Sequence, residues 1–258
     1  MTFDADLTAC AQLVERGDPD RFAATMAAPV AARKVLFPIY AFNIEVSRAP
    51  WVTKEPMIAE MRLQWWSDAL EEIASGGLVR RHEVVTSLAH VLDAEAARHL
   101  QRAVSARVWD AYRHPFEDSA AFSQYIEDTA ESLLMAAAQS LSGQTPDALK
   151  HLGYASGLAR FLQAVPDLER QDRIPLVDGR ADAVRDLAKD GLDRLRKARA
   201  LRNAVPPAAR PVALAAWQAG PILKQVAANP SRVGDGTLGT SEAAKKARLM
   251  WQAATGRW

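Results

Sequence analysis

Apolar residues in this chain recur at intervals of three and four, and period-two alternation of β-branched residues is scarce. Val84, Leu88, Val91 and Leu92 show the spacing, as does the run Phe122, Tyr125, Ile126, Thr129, Leu133 and Leu134. Such spacing puts one apolar stripe on a helix, whereas a half-buried strand needs alternation. The breaks carry helix punctuation. Asp18 and Pro19 read as an N-cap and first helical position, and Glu55-Pro56, Thr145-Pro146 and Val205-Pro206 open further helices the same way. Gly76-Gly77, Gly143 and Asn229-Pro230 close others. The pattern predicts helices over 4–16, 19–27, 31–48, 56–75, 82–93, 95–113, 118–142, 146–165, 180–203, 207–228 and 241–255. There is no internal repeat or low-complexity linker, and one all-α domain is expected. The glycine-rich stretch 234–239 is the expected mobile loop; no strand precedes it, which argues against a phosphate-cradling role.

At 258 residues, the chain fits about one large domain or two small ones, on a prior of ~100–200 residues each. It can bury a core without a disulfide or metal staple. Its 32 basic and 31 acidic residues leave a net charge of +1, which argues against a nucleic-acid coat or a disordered tail. The single cysteine, Cys10, excludes an internal disulfide and a Cys-rich zinc site and suits a reducing compartment. Residues Met1–Asp6 are acidic and lack an apolar run, so they read as neither signal nor transit peptide. No apolar run approaches the ~20 residues of a transmembrane helix. A soluble intracellular chain is expected.

Few side chains announce chemistry. His82, His90, His99, His114 and His151 form no HExxH or other metal-ligand spacing, and Cys10 has no histidine near it in sequence. No GxSxG or Walker sequence is present. Asp178, Asp182, Asp186 and Asp190 recur every four residues, a spacing that can share Mg²⁺ with a diphosphate. They are interleaved with Arg180, Arg185, Lys189, Arg194 and Arg196, however, as on a solvated, salt-bridged helix face. Trp65-Trp66 suits one ring in the core and one at its edge better than a stacking platform. Lys245, Lys246 and Arg248 beside Leu249, Met250 and Trp251 form a basic amphipathic helix, able to lie on an anionic membrane or to dock on its own bundle.

Four stretches, taken in order, resemble the squalene/phytoene synthase family. The first runs from Asp20-Arg21-Phe22 through Pro29 and Arg33 to Tyr40-Ala41-Phe42-Asn43-Ile44-Glu45, and the second is Met61-Arg62-Leu63-Gln64-Trp65-Trp66-Ser67-Asp68. The third joins Ala106-Arg107-Val108-Trp109-Asp110 to Tyr125-Ile126-Glu127-Asp128-Thr129 and Ser132-Leu133-Leu134. The fourth leads from Gly153, Gly157 and Leu158 into Arg173-Ile174-Pro175-Leu176. The resemblance implies a single isoprenoid-synthase bundle over 1–258 with a central cavity, its core at 19–228 and a C-terminal loop and helix at 229–258.

Active members of that family carry two aspartate-rich motifs that hold Mg²⁺ against substrate diphosphates. The first would place aspartates at about positions 47, 48 and 51, where this chain has Ser47, Arg48 and Trp51. The second would lie nine and five residues before Arg173, at Ala164 and Leu168. Asp167 and Glu169 are adjacent but point ~100° away on a continuing helix. The stretches 40–45, 61–66, 125–134 and 153–166 are more similar to the non-synthase branch, the respiratory complex I assembly factors and their bacterial relatives. Pro166 fits that branch if it ends the helix where a synthase would continue.

Three functions follow from the resemblance. The first is a catalytically silent family member acting through complex I subunits or lipid contacts, with no metal or other cofactor, in the cytoplasm or peripherally on the inner face of the membrane. The second is a transferase of isoprenoid biosynthesis, condensing two isoprenyl diphosphates at an unusual Mg²⁺ site built from Glu45, Asp68, Asp110 and Glu131. The third is a binder of an isoprenoid or quinone tail. Its ligand-binding residues would be Arg33, Tyr40, Phe42, Arg48, Leu134, Leu158, Arg160 and Phe161, joined in the lining by Leu133 and Met135.

Overall fold

Helices account for nearly all regular structure in the computed structural model, which describes residues 5–53 and 55–258 and contains no strand among them. The acidic start Met1–Asp4 read for targeting lies outside the described residues. Thirteen α-helices follow in order among them: α1 Ala5–Gly17, α2 Pro19–Ala27, α3 Val30–Arg48, α4 Pro56–Ala74, α5 Glu83–Ala89, α6 Ala94–Tyr112 and α7 Ser119–Ile126. The remainder are α8 Ser132–Ser142, α9 Asp147–Glu169, α10 Ala181–Ala200, α11 Ala219–Ala228, α12 Ser231–Gly234 and α13 Glu242–Thr255. Of the caps read from sequence, Asp18 accepts the Arg21 amide at the start of α2 and Gly143 closes α8 in the left-handed region, whereas Glu55 and Pro146 precede α4 and α9 without a side-chain cap bond. Two further caps, Asp93 and Asp118, accept the Ala96 and Ala121 amides at the starts of α6 and α7.

Four expected helices differ: 82–93 is α-helical only over Glu83–Ala89, and three others depart further. The segment 207–228 is not one helix: Pro207–Ala216 is 3₁₀, and α-helix begins only at Ala219. Pro206, Pro207 and Pro211 remove the N–H donors that an i→i−4 ladder needs. The segment 118–142 stays helical but widens into a π-turn at Glu127–Glu131 between α7 and α8. Pro166 does not end α9, which runs on to Glu169. A proline this close to the C-terminus removes one internal bond, and the last turn closes with Arg170 N–H on Pro166 O at 3.1 Å.

Helix α4 packs along α6, α9 along α10, and α1 along α3. At the centre, every residue of α8 from Ser132 to Gln139 is buried, so over these first two turns the helix has no solvent face. The glycines of α9 set the closest approach in the bundle. A Cβ at Gly153 would stand 2.6 Å from Glu131 Cα, and one at Gly157 would stand 2.3 Å from Ala130 Cβ. Glycine at both positions lets α9 press onto the π-turn. Trp66 is buried and Trp65 half-buried, with their rings edge to face at 4.9 Å, as the amphipathic pattern predicts. The loop at 234–239 is held at its far end by Gln225, whose amide bonds both the carbonyl and the N–H of Gly239 at 2.8 and 3.0 Å. No helix among the described residues is long and apolar enough to cross a membrane.

Candidate functional site

A cleft of about 400 Å³ opens between the C-terminal end of α3 and the middle of α9, floored by the π-turn. One wall carries Ser47, Arg48 and Trp51; the other carries Arg160, Ala164 and Leu168. The two series expected to bear aspartates therefore face the same cleft, with no carboxylate at any of the five positions. Ser47 turns its hydroxyl onto its own helix, donating to Ile44 O at 3.0 Å.

Two carboxylates line this cleft, Asp18 and Asp110, and arginines neutralise both. Asp18 accepts the Arg21 amide at 2.9 Å and the Arg21 guanidinium at 3.0 Å, while Arg160 reaches the same carboxylate at 2.8 Å. Burial by itself would raise the Asp18 pKa, but the charges of Arg160 and Arg21 and the capping amide hold it below the ordinary 3.8. Burial, then the neighbouring Arg160, brings the Arg21 guanidinium down to about 10. Arg21 lies 5.4 Å from the Tyr40 ring centroid, and burial pushes the Tyr40 hydroxyl up to about 12.

Asp110 sits in the second network. Tyr125 donates to its carboxylate at 3.0 Å, Arg107 pairs with it at 2.9 Å, and Arg107 also donates to the Tyr125 oxygen at 2.8 Å. Beneath them the buried Arg173 guanidinium lies 3.8 Å from the Asp110 carboxylate and donates to the Asp110 carbonyl oxygen. Burial raises the Tyr125 pKa well above its ordinary value. Both networks use up their carboxylates within the protein, and no group of three or more His, Cys, Asp or Glu among the described residues could hold a metal ion. The donor set does not fit a Mg²⁺–diphosphate site. Arg48, at the mouth, has no ion pair among the described residues, so the cleft favours an anion over a cation.

The expected site residues scatter. Arg48, Arg160 and Phe161 line the cleft. Arg33 does not; it donates to the carbonyls of Ala28 and Met26 at 3.0 and 2.7 Å and closes the turn between α2 and α3. Tyr40, Phe42, Leu133, Leu134, Met135 and Leu158 were expected to line an apolar cavity, but they pack into the core instead. They sit on helices whose buried faces press on one another, so side chains occupy the space. Of the four carboxylates suggested for a metal, only Asp110 is in the cleft. Glu45 lines a neighbouring cleft of about 370 Å³ with Arg62, Trp65 and His82. Asp68 is exposed and accepts the Gln64 amide at 2.7 Å. Glu131 rides the π-turn against Gly153, where burial, then Glu127, raises its pKa.

Asp18 and Tyr125 carry the site and were not among the expected site residues. Asp18 showed in the sequence only as a helix cap, while Tyr125 fell within a family-like stretch without a role. The aspartate series at 178–190 is the surface face its charges imply, with Asp178, Asp182 and Asp186 paired to Arg180, Arg185 and Lys189.

A family model described as squalene/phytoene synthase matches residues 14–177, which contain every residue of the cleft. The chain belongs to the squalene/phytoene synthase family. Within solved structures, it superposes on a dehydrosqualene synthase in complex with ligand with a TM-score of 0.78, at 16% identity, covering 97% of this chain and 96% of that one. That likeness establishes the isoprenoid-synthase type of helical bundle. Two relatives carry other names. The chain is 29% identical over 287 positions to the Drosophila melanogaster protein named NADH dehydrogenase (ubiquinone) complex I, assembly factor 6 homolog, covering 96% of this chain and 84% of the fly protein. It is 26% identical over 173 positions to the Bos taurus complex I assembly factor 6, covering 61% of this chain and 48% of the bovine protein. The chain thus spans about half the length of that second relative.

Proposed function

We propose that this family member is catalytically silent and assists the assembly of respiratory complex I, acting in the cytoplasm or against the inner face of the membrane. The observation that carries this reading is the content of the cleft: both aspartate-motif walls are present and face each other, yet they bear Ser47, Arg48, Trp51, Ala164 and Leu168. Ionising an allylic diphosphate requires its charge to be neutralised by metal, and these side chains offer no carboxylate to hold one. The names of the fly and bovine relatives support the assembly role.

Calorimetric titration with Mg²⁺ and a non-hydrolysable prenyl diphosphate tests the silent site. The expected result is no metal-dependent binding; micromolar, Mg²⁺-dependent binding would overturn the silent site and favour the transferase reading. Deleting the gene in its own host tests the assembly role. Complex I on native gels is expected to fall and to recover with the wild-type gene, and an unchanged amount would overturn the role.

Arg48, Arg160 and Phe161 in one cleft support a second reading, in which an isoprenoid or quinone lipid is held with arginines at its headgroup. Mass spectrometry of lipid extracts from the purified protein is expected to find a prenyl species that Arg48→Ala retains poorly. Its absence would leave protein contacts alone.

A further inference from the structure

The C-terminal helix encloses a second cationic site. A groove of about 620 Å³ lies between the end of α10 and α13, lined by Arg199, Arg202, Arg248, Arg257, Trp251 and Trp258 among others, and no acidic side chain lines it. Elsewhere along α10, Asp182, Asp186 and Asp193 are each paired to a cation three residues on. At the groove this matching stops. Arg202, Arg248 and Arg257 have no carboxylate partner among the described residues. Arg199 is held in place by donating to a main-chain oxygen of Trp258, the last residue of the sequence, at 2.9 Å. Burial, and then the positive charges of Arg248 and Arg202, lower its pKa. One Trp258 main-chain oxygen serves Arg199, which leaves Arg202, Arg248 and Arg257 as a cluster of positive charge that attracts an anion from outside.

Exposed apolar residues on and near α13, with Trp251 in the groove lining itself, narrow the choice of anion. Helix α13 docks on the bundle through Leu249 and Gln252, which leaves Met250 71% and Trp251 52% exposed. Leu201, next to Arg202 in the chain, is also exposed. A small free anion would satisfy the arginines and leave these side chains in water. An anionic bilayer surface takes both, because phosphates meet the guanidinium groups while Trp251 enters the headgroup and acyl boundary. We propose that this groove binds the phosphate groups of anionic phospholipids and holds the chain on a membrane surface through α13. The proposal is independent of what the central cleft does.

Vesicle flotation with the whole protein tests it, using phosphatidylcholine alone and phosphatidylcholine with about 30% phosphatidylglycerol as the anionic lipid. Binding is expected only to the anionic vesicles, and to weaken with added salt. Arg248→Glu with Arg257→Glu is expected to lower affinity for them at least about tenfold. Arg180→Glu with Arg196→Glu makes the same change in net charge outside the groove and is expected to leave binding nearly intact. Trp251→Ala is expected to weaken binding while keeping the preference for anionic lipid. Circular dichroism melts establish that each variant is folded, and Arg248→Gln with Arg257→Gln replaces the charge reversal if that variant is not. Equal binding to both vesicles would overturn the proposal. So would an equal loss in the control pair, or release of the protein by inorganic phosphate at constant ionic strength, which would mark a small-anion site.

Discussion

The guanidinium carbon of Arg173 lies 4.1 Å from the centroid of the Trp51 ring. Trp51 occupies a position where a synthase would carry a metal-binding aspartate, and here its ring covers a buried arginine instead. The same arginine holds the Asp110 backbone oxygen and faces the Asp110 carboxylate. The wall that would bind metal is therefore tied to the floor of the cleft by an aromatic–cation contact.

Removing that cover has a definite consequence. Trp51→Ala is expected to cost about 1 kcal/mol, the scale of a partly exposed cation–π contact. For a chain of this size, that corresponds to a fall in melting temperature of about 2–4 °C. A melting curve that superposes on wild type would show that the ring contributes nothing to holding Arg173.

Asp18 is the single carboxylate between Arg21 and Arg160. Asp18→Asn is expected to cost about 3–5 kcal/mol, because it leaves two guanidinium groups facing each other in a largely buried site. The pH dependence has a fixed sign. Its folded-state pKa lies below the ordinary 3.8, so its contribution is fully present above that value and is lost as pH falls through the lower one. Denaturant unfolding of wild type and Asp18→Asn should give a stability difference that is constant near neutrality and shrinks below about pH 4.

Gly157 presses on the π-turn with no room for a methyl group. Gly157→Ala is expected to cost about 1–3 kcal/mol through overpacking, even though alanine is the better helix former. Thermal unfolding measures it. A stabilised variant would mean that α9 can move off Ala130 freely.

The adjacent tryptophans should separate cleanly. Trp66→Ala removes a buried ring and is expected to cost about 3–5 kcal/mol. Trp65, half-buried at the edge beneath Arg80 at 4.9 Å, should cost clearly less. Equal losses in urea unfolding would overturn the assignment of one core ring and one edge ring.

Most helix limits could be read from the chain because they depend on neighbours within a turn. Asp18-Pro19 starts a helix and Gly143 ends one through local hydrogen bonds and backbone freedom, whatever the rest of the fold does. The misses have a different origin. Pro166 was expected to stop α9, yet a proline near a helix end can be absorbed at the cost of one bond. The π-turn at 127–131 leaves no mark in apolar spacing; it lies where Gly153 and Gly157 of another helix pack closest against it.

The site divides the same way. By itself, the sequence determined the all-helical class, the salt-bridged face at 178–190, and the absence of aspartate from positions 47, 48, 51, 164 and 168, because composition and short-range spacing decide these. Only the tertiary structure decided that those five positions share one cleft. It also decided that Asp18 meets Arg160 across 142 residues and that Tyr40, Phe42 and Leu158 are core rather than lining. Contacts between distant segments depend on how helices cross and which faces meet, and no local periodicity encodes a partner that far away.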